Sequence, residues 1–423
     1  MEDYSIPALV FGVGVTLTGV LRTLGQAGVR VYAVCDRADI ATRSRWYEPP
    51  PCGDTSLVTP ANLATFLKNC GLQRAVLIPC SDDWARAVAS LPSALSNRFC
   101  ASSPSVEVVD TLVDKWRFSR LLERSQVPHP STQLIDSAEA MQRLPESAFR
   151  GAFLKPLSSA EFARRHGVKG FIVESQAEAL ALLNVLDLPV MLQEYIPGPP
   201  TSHFFVEGFR DRTGQVRGLL ARQRLRMFPL DLGNSSLMQS VPLSEVAPAA
   251  ESLTALLGRL AYRGVFSAEF KKDSRDGQFK ILEINARPWW YVEFASRCGV
   301  DVCTMSYRDA LELPVESVTD YQAGRRCMMF AIDMLAFHAL RGKEPALTFG
   351  EWMDSLRNAD DALFTARDPL PALSHWGKLL RQRMVPGAAL SSAGGQFCVP
   401  NKSVKTSSSS SDQLAQVGPV RRG

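Results

Sequence analysis

At 423 residues, with 46% hydrophobic and 21% charged side chains, the chain is long enough for about two to four domains with sizeable cores and has the composition of an ordinary globular protein. A net charge of +4 is too weak a bias to argue for nucleic acid or a membrane surface. Five scattered histidines form no metal-ligand pair, and nine cysteines without a C-x-x-C read as reduced, buried thiols of a cytoplasmic protein.

No apolar stretch approaches the roughly 18 residues of a membrane-spanning helix. Glu2 and Asp3 stand where a signal peptide would carry basic residues, so a soluble chain is expected. ALVFGVG (residues 8–14) reads as a buried strand, followed by a helix to about Gln26, a turn at Gly28 and a second strand, VRVYAVCD: a β-α-β unit. With AVLIPC and DDWARAVASL behind it, a small parallel α/β domain is expected over residues 1–110. Gly12 and Gly14 invite a dinucleotide-binding reading, with Asp36 ending the next strand, but Leu17 stands where the third glycine belongs. Tight-turn glycines explain the stretch better. Ser81, Asp82 and Asp83 follow a strand, either capping the next helix or contacting an acceptor substrate.

VDKWRFSRLLERSQVPHPST reads as a helix ending near Gln126, with Pro128 and Pro130 as stops. From about residue 150 the pattern is strand-rich, a helix covers 248–262, and two strands, 264–272 and 278–286, flank the turn signal Asp276-Gly277. Residues 311–392 mix helical stretches with Pro-rich connections, and residues 393–423 are polar and low in complexity, expected to be disordered.

The strand KILEINARPWW raises the functional question. With strict alternation, Lys280, Leu282, Ile284 and Ala286 share one face, while Glu283, Asn285 and Arg287 share the other. On the preceding strand Val265, Ser267, Glu269 and Lys271 share a face, and a hairpin through Asp276-Gly277 brings Glu269 within about one residue of facing Glu283. Opposed carboxylates repel unless a cation sits between them; with the Asn285 carbonyl they suit Mg²⁺ bound together with phosphate groups. Arg287 is placed for a two-pronged contact to phosphate or carboxylate. The alternative is a charged face that is merely solvated.

The pair SAEFKKD…FKILEINARP resembles the Mg-ATP hairpin of ATP-grasp enzymes, in which two acidic residues and an asparagine hold magnesium and a nearby arginine serves the reacting centre. The resemblance implies Glu269, Glu283 and Asn285 as metal ligands and Arg287 as a catalytic residue. It covers residues 5–310 and implies an α/β and α+β fold: a Rossmann-like domain ahead of an ATP-grasp domain over 111–310, whose two α+β lobes sandwich ATP, then a C-terminal helical extension. Lys115 and Lys155 resemble the family's phosphate-contacting lysines, Lys155 also as a catalytic candidate. Gln193, Glu194, Tyr195 and Ile196, in MLQEYIPG, resemble the hinge that meets adenine and ribose. His203 falls near a ribose-contacting position or is incidental. Arg222, Arg224 and Arg226 either reach the triphosphate or an anionic substrate, Arg224 being the cofactor-binding candidate, or form a solvated face.

The stretch LSSAEFARRHGVKG departs from the family's glycine-rich phosphate loop, with only Gly167 and Gly170. Ser158, Ser159, Arg164, Arg165 and Lys169 make a cationic lid the alternative, as in the D-aspartate ligase-like, carboxylate-amine ligase branch. The implied reaction uses ATP and Mg²⁺, with Mn²⁺ as an alternative. A small-molecule carboxylate attacks the γ-phosphorus to give an acylphosphate, and an amine then attacks the acyl carbon while Arg287 stabilises the oxyanion. Competing readings are a nucleotide-binding protein without turnover and a nicotinamide oxidoreductase; the lack of a Met-Lys-Met carrier site argues against a biotin-dependent variant. Trp289, Trp290 and Tyr291 either wall the acceptor pocket or pack under the hairpin, and residues 311–390 either shape the pocket or make a homodimer contact.

Overall fold

Four short segments, Ala8–Phe11 (β1), Val31–Val34 (β2), Ala75–Pro79 (β3) and Phe99–Cys100 (β4), form a parallel sheet in the order β2-β1-β3-β4. Every residue of the first three is buried. Both faces are covered, which is why these strands read as continuous apolar runs and not as alternating ones. Leu9, Phe11, Val34 and Leu77 pack on one side with Leu63 and Trp84. Ala8, Val10, Val31 and Ile78 pack on the other with the helix Gly14–Gln26. A Cβ at Gly12 would lie 2.5 Å from Cys80 Cβ, so the ends of β1 and β3 require a glycine there. Gly14 opens the helix at φ 64°, and its N–H donates to both oxygens of the Asp39 carboxylate, at 2.9 and 3.1 Å. An internal carboxylate thus occupies the N-terminus of this helix.

The computed structural model describes residues 4–157, 168–184, 186–230, 233–383 and 396–398. The chain divides into two units, one of Met1–Val113, Pro199–Lys272 and Ile281–Pro386, the other of Asp114–Gly198, Asp273–Lys280 and Gly387–Gly423.

In the second unit, Thr132–Ile135 (β5), Ala152–Pro156 (β6), Val168–Val173 (β7) and Val190–Gln193 (β8) form an antiparallel sheet. Phe149, Leu154, Phe171, Val190 and Leu192 make its core with Ala179 and Leu182 of the helix Gln176–Leu182. Of the tail expected to be disordered, the described residues are the strand Gln396–Cys398, which pairs in parallel with β7; that short strand departs from the expectation.

The first unit also holds His203–Arg210 (β9), Val216–Phe228 (β10), Asn234–Val241 (β11), Gly264–Lys272 (β12), Phe279–Asn285 (β13), Arg326–Met328 (β14) and Ala359–Asp361 (β15), in the order β13-β12-β9-β10-β11-β14-β15. Gly208 and Gly218 allow β9 and β10 to close, since a Cβ on Gly208 would lie 2.3 Å from the Gly218 carbonyl oxygen. The region expected as a helical extension adds β14 and β15 to this sheet as well as helices. One helix, Phe330–Leu340, is anchored by Asp333, which is fully buried and accepts from Arg226 Nε and Nη2 at 3.0 and 2.8 Å, Ser236 Oγ at 2.7 Å and Trp352 Nε1 at 2.8 Å. The N-terminal sheet is not a free-standing domain. A single core joins Ala8, Val10 and Leu17 to Phe209, Leu220, Val265, Phe294, Cys327 and Ala372.

Candidate functional site

In the first unit the register of β9, β10 and β12 sets out one face of the sheet. Val265 lies opposite Phe209, Ser267 opposite Glu207, Glu269 opposite Phe205 and Lys271 opposite His203, while Arg222 faces Phe205 from the other side. The face thus runs from apolar to charged along the strands. Its charges are not solvated: Arg222 and Arg224 are 4% and 5% exposed. Each arginine of the basic strand has its own acid. Arg222 donates to Glu207 through Nε and Nη2 at 2.9 and 2.7 Å and lies 3.7 Å over the Phe205 ring. Arg224 donates to Glu269 at 3.0 Å, and Arg226 to Asp333. Buried charges persist only when paired in this way.

Glu269 accepts from His203 Nδ1 at 2.7 Å and from Arg224 Nη2 at 3.0 Å, both on Oε1. Burial alone would raise its pKa, but the Arg224 charge and the His203 hydrogen bond outweigh it and hold the carboxyl at about 2. Burial lowers His203, against the pull of Glu269, so the imidazole is neutral at pH 7 and donates through Nδ1. Glu207 carries the opposite balance: burial raises its carboxyl above the ordinary range, Arg222 opposes this, and Oε2 is buried with no hydrogen-bond partner among the described residues.

On β13, Glu283, Asn285 and Arg287 stay on the partly exposed side while Ile284 and Ala286 are buried. Burial does not follow the alternation along the whole strand: Ile281, two residues before Glu283, is also buried, while Lys280 and Leu282 are partly exposed. Lys280 reaches Asp273, at 2.7 Å. Asn285 Nδ2 donates to Glu283 Oε1 at 3.2 Å, Arg287 Nη2 to Asn285 Oδ1 at 3.0 Å, and Arg287 Nε to Asp82 Oδ1 at 2.7 Å. β12 and β13 are neighbours, so the acids of the expected metal site stand on adjacent strands. Among the described residues no three His, Cys, Asp or Glu converge as a closed metal cage. Two carboxylates and an amide are the donor types expected for Mg²⁺ bound together with phosphate and water. Trp289 and Tyr291 are buried core residues and Trp290 packs against that core, in line with the packing alternative. Ser81 is a helix cap, accepting from Trp84 N at 3.3 Å, and Asp83 is exposed.

In the second unit, Lys155 ends β6 and donates to Gln193 Oε1 at 2.8 Å, and Gln193 Nε2 donates to Thr132 Oγ1 at 3.1 Å. Lys155 Nζ lies 4.6 Å over the Phe153 ring, which meets Tyr195 edge-on at 5.7 Å. Lys155, Gln193 and Tyr195 are therefore gathered at one place. Glu194 accepts from Ser131 N at 3.0 Å on one oxygen and from Arg275 on the other, so its carboxylate ties this segment to the turn at 273–280. Ile196 is buried. Lys115 is the half-buried first residue of the helix Lys115–Arg124, behind the cap Asp114. Ser158, Ser159, Arg164, Arg165 and Gly167 of the expected lid lie outside the described residues, as does the Lys169 side chain.

Three groups escaped the sequence reading: Glu207 with Ser267, Asp333, and Arg275 with Asp273. Glu207 left a signal, a lone acid inside the apolar run HFFVEGF.

No family model matches the chain. Among curated proteins it is 24% identical over 225 residues to D-aspartate ligase of Enterococcus faecium, covering 50% of this chain and 53% of that protein. It is 22% identical over 278 residues to the carbamoyl phosphate synthase arginine-specific large chain of Geobacillus stearothermophilus, covering 62% of this chain and 26% of that one. The chain thus matches about half the length of the first relative and less of the second. Among solved structures, the biotin carboxylase domain of Hydrogenobacter thermophilus 2-oxoglutarate carboxylase, in complex with MgADP, ADP and bicarbonate, superposes with a TM-score of 0.58 at 15% identity, covering 75% of this chain and 73% of that one. N5-carboxyaminoimidazole ribonucleotide synthetase from Thermotoga maritima gives 0.52 at 14%, covering 75% and 78%. These neighbours are ATP-grasp proteins, and the chain has the ATP-grasp fold. In sequence its similarity is to D-aspartate ligase.

Proposed function

We propose that the protein is an ATP- and Mg²⁺-dependent ligase that joins a small-molecule carboxylate to an amine through an acylphosphate, releasing ADP and phosphate. The observation that carries this reading is Glu269, held ionised by Arg224 and His203, on the strand next to the linked row Glu283, Asn285, Arg287. The MgADP bound in the Hydrogenobacter thermophilus biotin carboxylase domain supports the choice of cofactors. When bound, Mg²⁺ neutralises the charge that develops between the β- and γ-phosphates.

Glu269, Glu283 and Asn285 are the ligands for that ion. Both hydrogen bonds to Glu269 fall on Oε1, which orients the carboxylate without using Oε2. Lys115 and Lys155 hold phosphate oxygens as point charges. Gln193 and the hinge Glu194, Tyr195 and Ile196 seat the adenine and ribose, Glu194 through its backbone because its carboxylate is already taken. His203, neutral and donating through Nδ1, offers Nε2 as an acceptor to a ribose hydroxyl. Arg224 serves the nucleotide indirectly, by fixing Glu269. Arg287 stabilises the oxyanion when the amine attacks the acyl carbon. No protein nucleophile is needed; positioning and charge compensation supply the acceleration.

Phosphate release is measured with ATP, Mg²⁺ and pooled acids and amines, with hydroxylamine present to trap an activated acyl group. Turnover that depends on an acid, with a trapped hydroxamate, is the expected result. Nucleotide uptake without turnover under every pool would replace the ligase reading with a binding protein. Glu283→Gln is expected to abolish turnover and leave the fold intact by circular dichroism; wild-type activity in that variant would remove the metal assignment.

A further inference from the structure

We propose that Asp82 is a positioning residue for Arg287. Its carboxylate takes the Nε–H of the guanidinium and so fixes which N–H groups remain for the reacting centre. A guanidinium has five N–H groups. Three are engaged here: Nε–H on Asp82 Oδ1 at 2.7 Å, one Nη1–H on the Pro288 carbonyl at 3.1 Å and one Nη2–H on Asn285 Oδ1 at 3.0 Å. Among the described residues, one N–H is left on each Nη nitrogen, and the planar group is pinned at all three nitrogens.

The anchor is rigid. Asp82 begins the helix Asp82–Ala89, directly after β3, 205 residues before Arg287 in the chain. Ser81 caps that helix, Trp84 one turn on is buried with its ring 4.9 Å from Phe11, and Cys80 lies against Gly12 where no Cβ fits. The carboxylate is therefore delivered by a strand-turn-helix packed into the N-terminal sheet. The pair is not there for stability: the Asp82 and Arg287 side chains are 42% and 20% exposed, and ion pairs so open to water contribute little. Orientation is what such a contact supplies, and small errors in the placement of a charge at a reacting centre are costly. The charge on which Arg287 acts rests on the ligase reading above; that Asp82 holds Arg287 does not.

The test uses the full chain and the variants Asp82→Ala, Asp82→Asn, Arg287→Lys and the double variant Asp82→Ala/Arg287→Lys. In arginine side-chain ¹H–¹⁵N spectra, the Nε–H signal that vanishes in Arg287→Lys should be protected from exchange in the wild type, and at least about tenfold less so in Asp82→Ala. In the turnover assay Asp82→Ala should lower kcat by about 10- to 100-fold, with KM for ATP unchanged and Asp82→Asn retaining part of the rate. Once Arg287 is lysine, removing Asp82 should cost no more than about twofold further. An Nε–H signal in Asp82→Ala with wild-type protection overturns the proposal, and so does a full additive penalty in the double variant. A wild type without turnover would remove the ligase reading, and the spectra would still decide whether Asp82 holds Arg287.

Discussion

Arg222, Arg224 and Arg226 alternate along one strand, and each meets a different acid: Glu207, Glu269 and Asp333. The alternation was plain in the sequence, but the pairing was not. The acids lie 15, 45 and 107 residues away, on β9, β12 and a C-terminal helix, and only the folded register brings them alongside. A basic strand therefore reads as a solvated or phosphate-seeking face when it is close to neutral in place. Glu269 is the member with a chemical consequence. Its carboxyl lies near 2 where 4.5 is ordinary, so ionisation of Glu269 stabilises the fold above about pH 4.5, and that contribution is lost as pH falls toward 2. A ¹³C-carboxyl titration should place its midpoint below that of the exposed glutamates by more than one pH unit; a midpoint at or above 4.5 would contradict the Arg224 and His203 contacts. Glu269→Gln should destabilise the protein by about 3–5 kcal/mol, because it leaves the Arg224 charge buried without compensation. Urea unfolding reads that loss.

At the level of elements, periodicity served well where a strand is buried on both sides or straight. The β-α-β unit, the helix starting near residue 248 and the hairpin all lie where the pattern placed them. It failed where the backbone is irregular. β10 shifts register on both sides of Arg226. Such irregularities re-aim a side chain, and nothing in a hydrophobic pattern announces them. The shift at Arg226 accompanies its two-pronged contact with Asp333, the contact that fastens the helix Phe330–Leu340 to the sheet. Asp333→Ala should accordingly cost about 3–5 kcal/mol, since Arg226, Ser236 and Trp352 lose one acceptor together. Limited proteolysis should then cut first between residues 330 and 356; a cleavage pattern equal to wild type would deny Asp333 its anchoring role.

For the whole molecule, the fold class was legible in the sequence. The hairpin motif pointed to the ATP-grasp fold because its residue types are tied to one local geometry. Domain limits depend on which distant segments share a core, and here the unit that begins the chain also takes in residues 199–272 and 281–386. Arg22 is the sharpest instance. It is fully buried in the helix after β1, and it donates to Asp368, 346 residues downstream, and to Glu293. On the ribosome this guanidinium has neither of these counter-charges until most of the polypeptide has been made. Residues 1–113 synthesised alone should consequently be digested by a protease faster than the same residues in the full chain, and the unit that holds Arg22 should become protected only after residue 368 has left the exit tunnel.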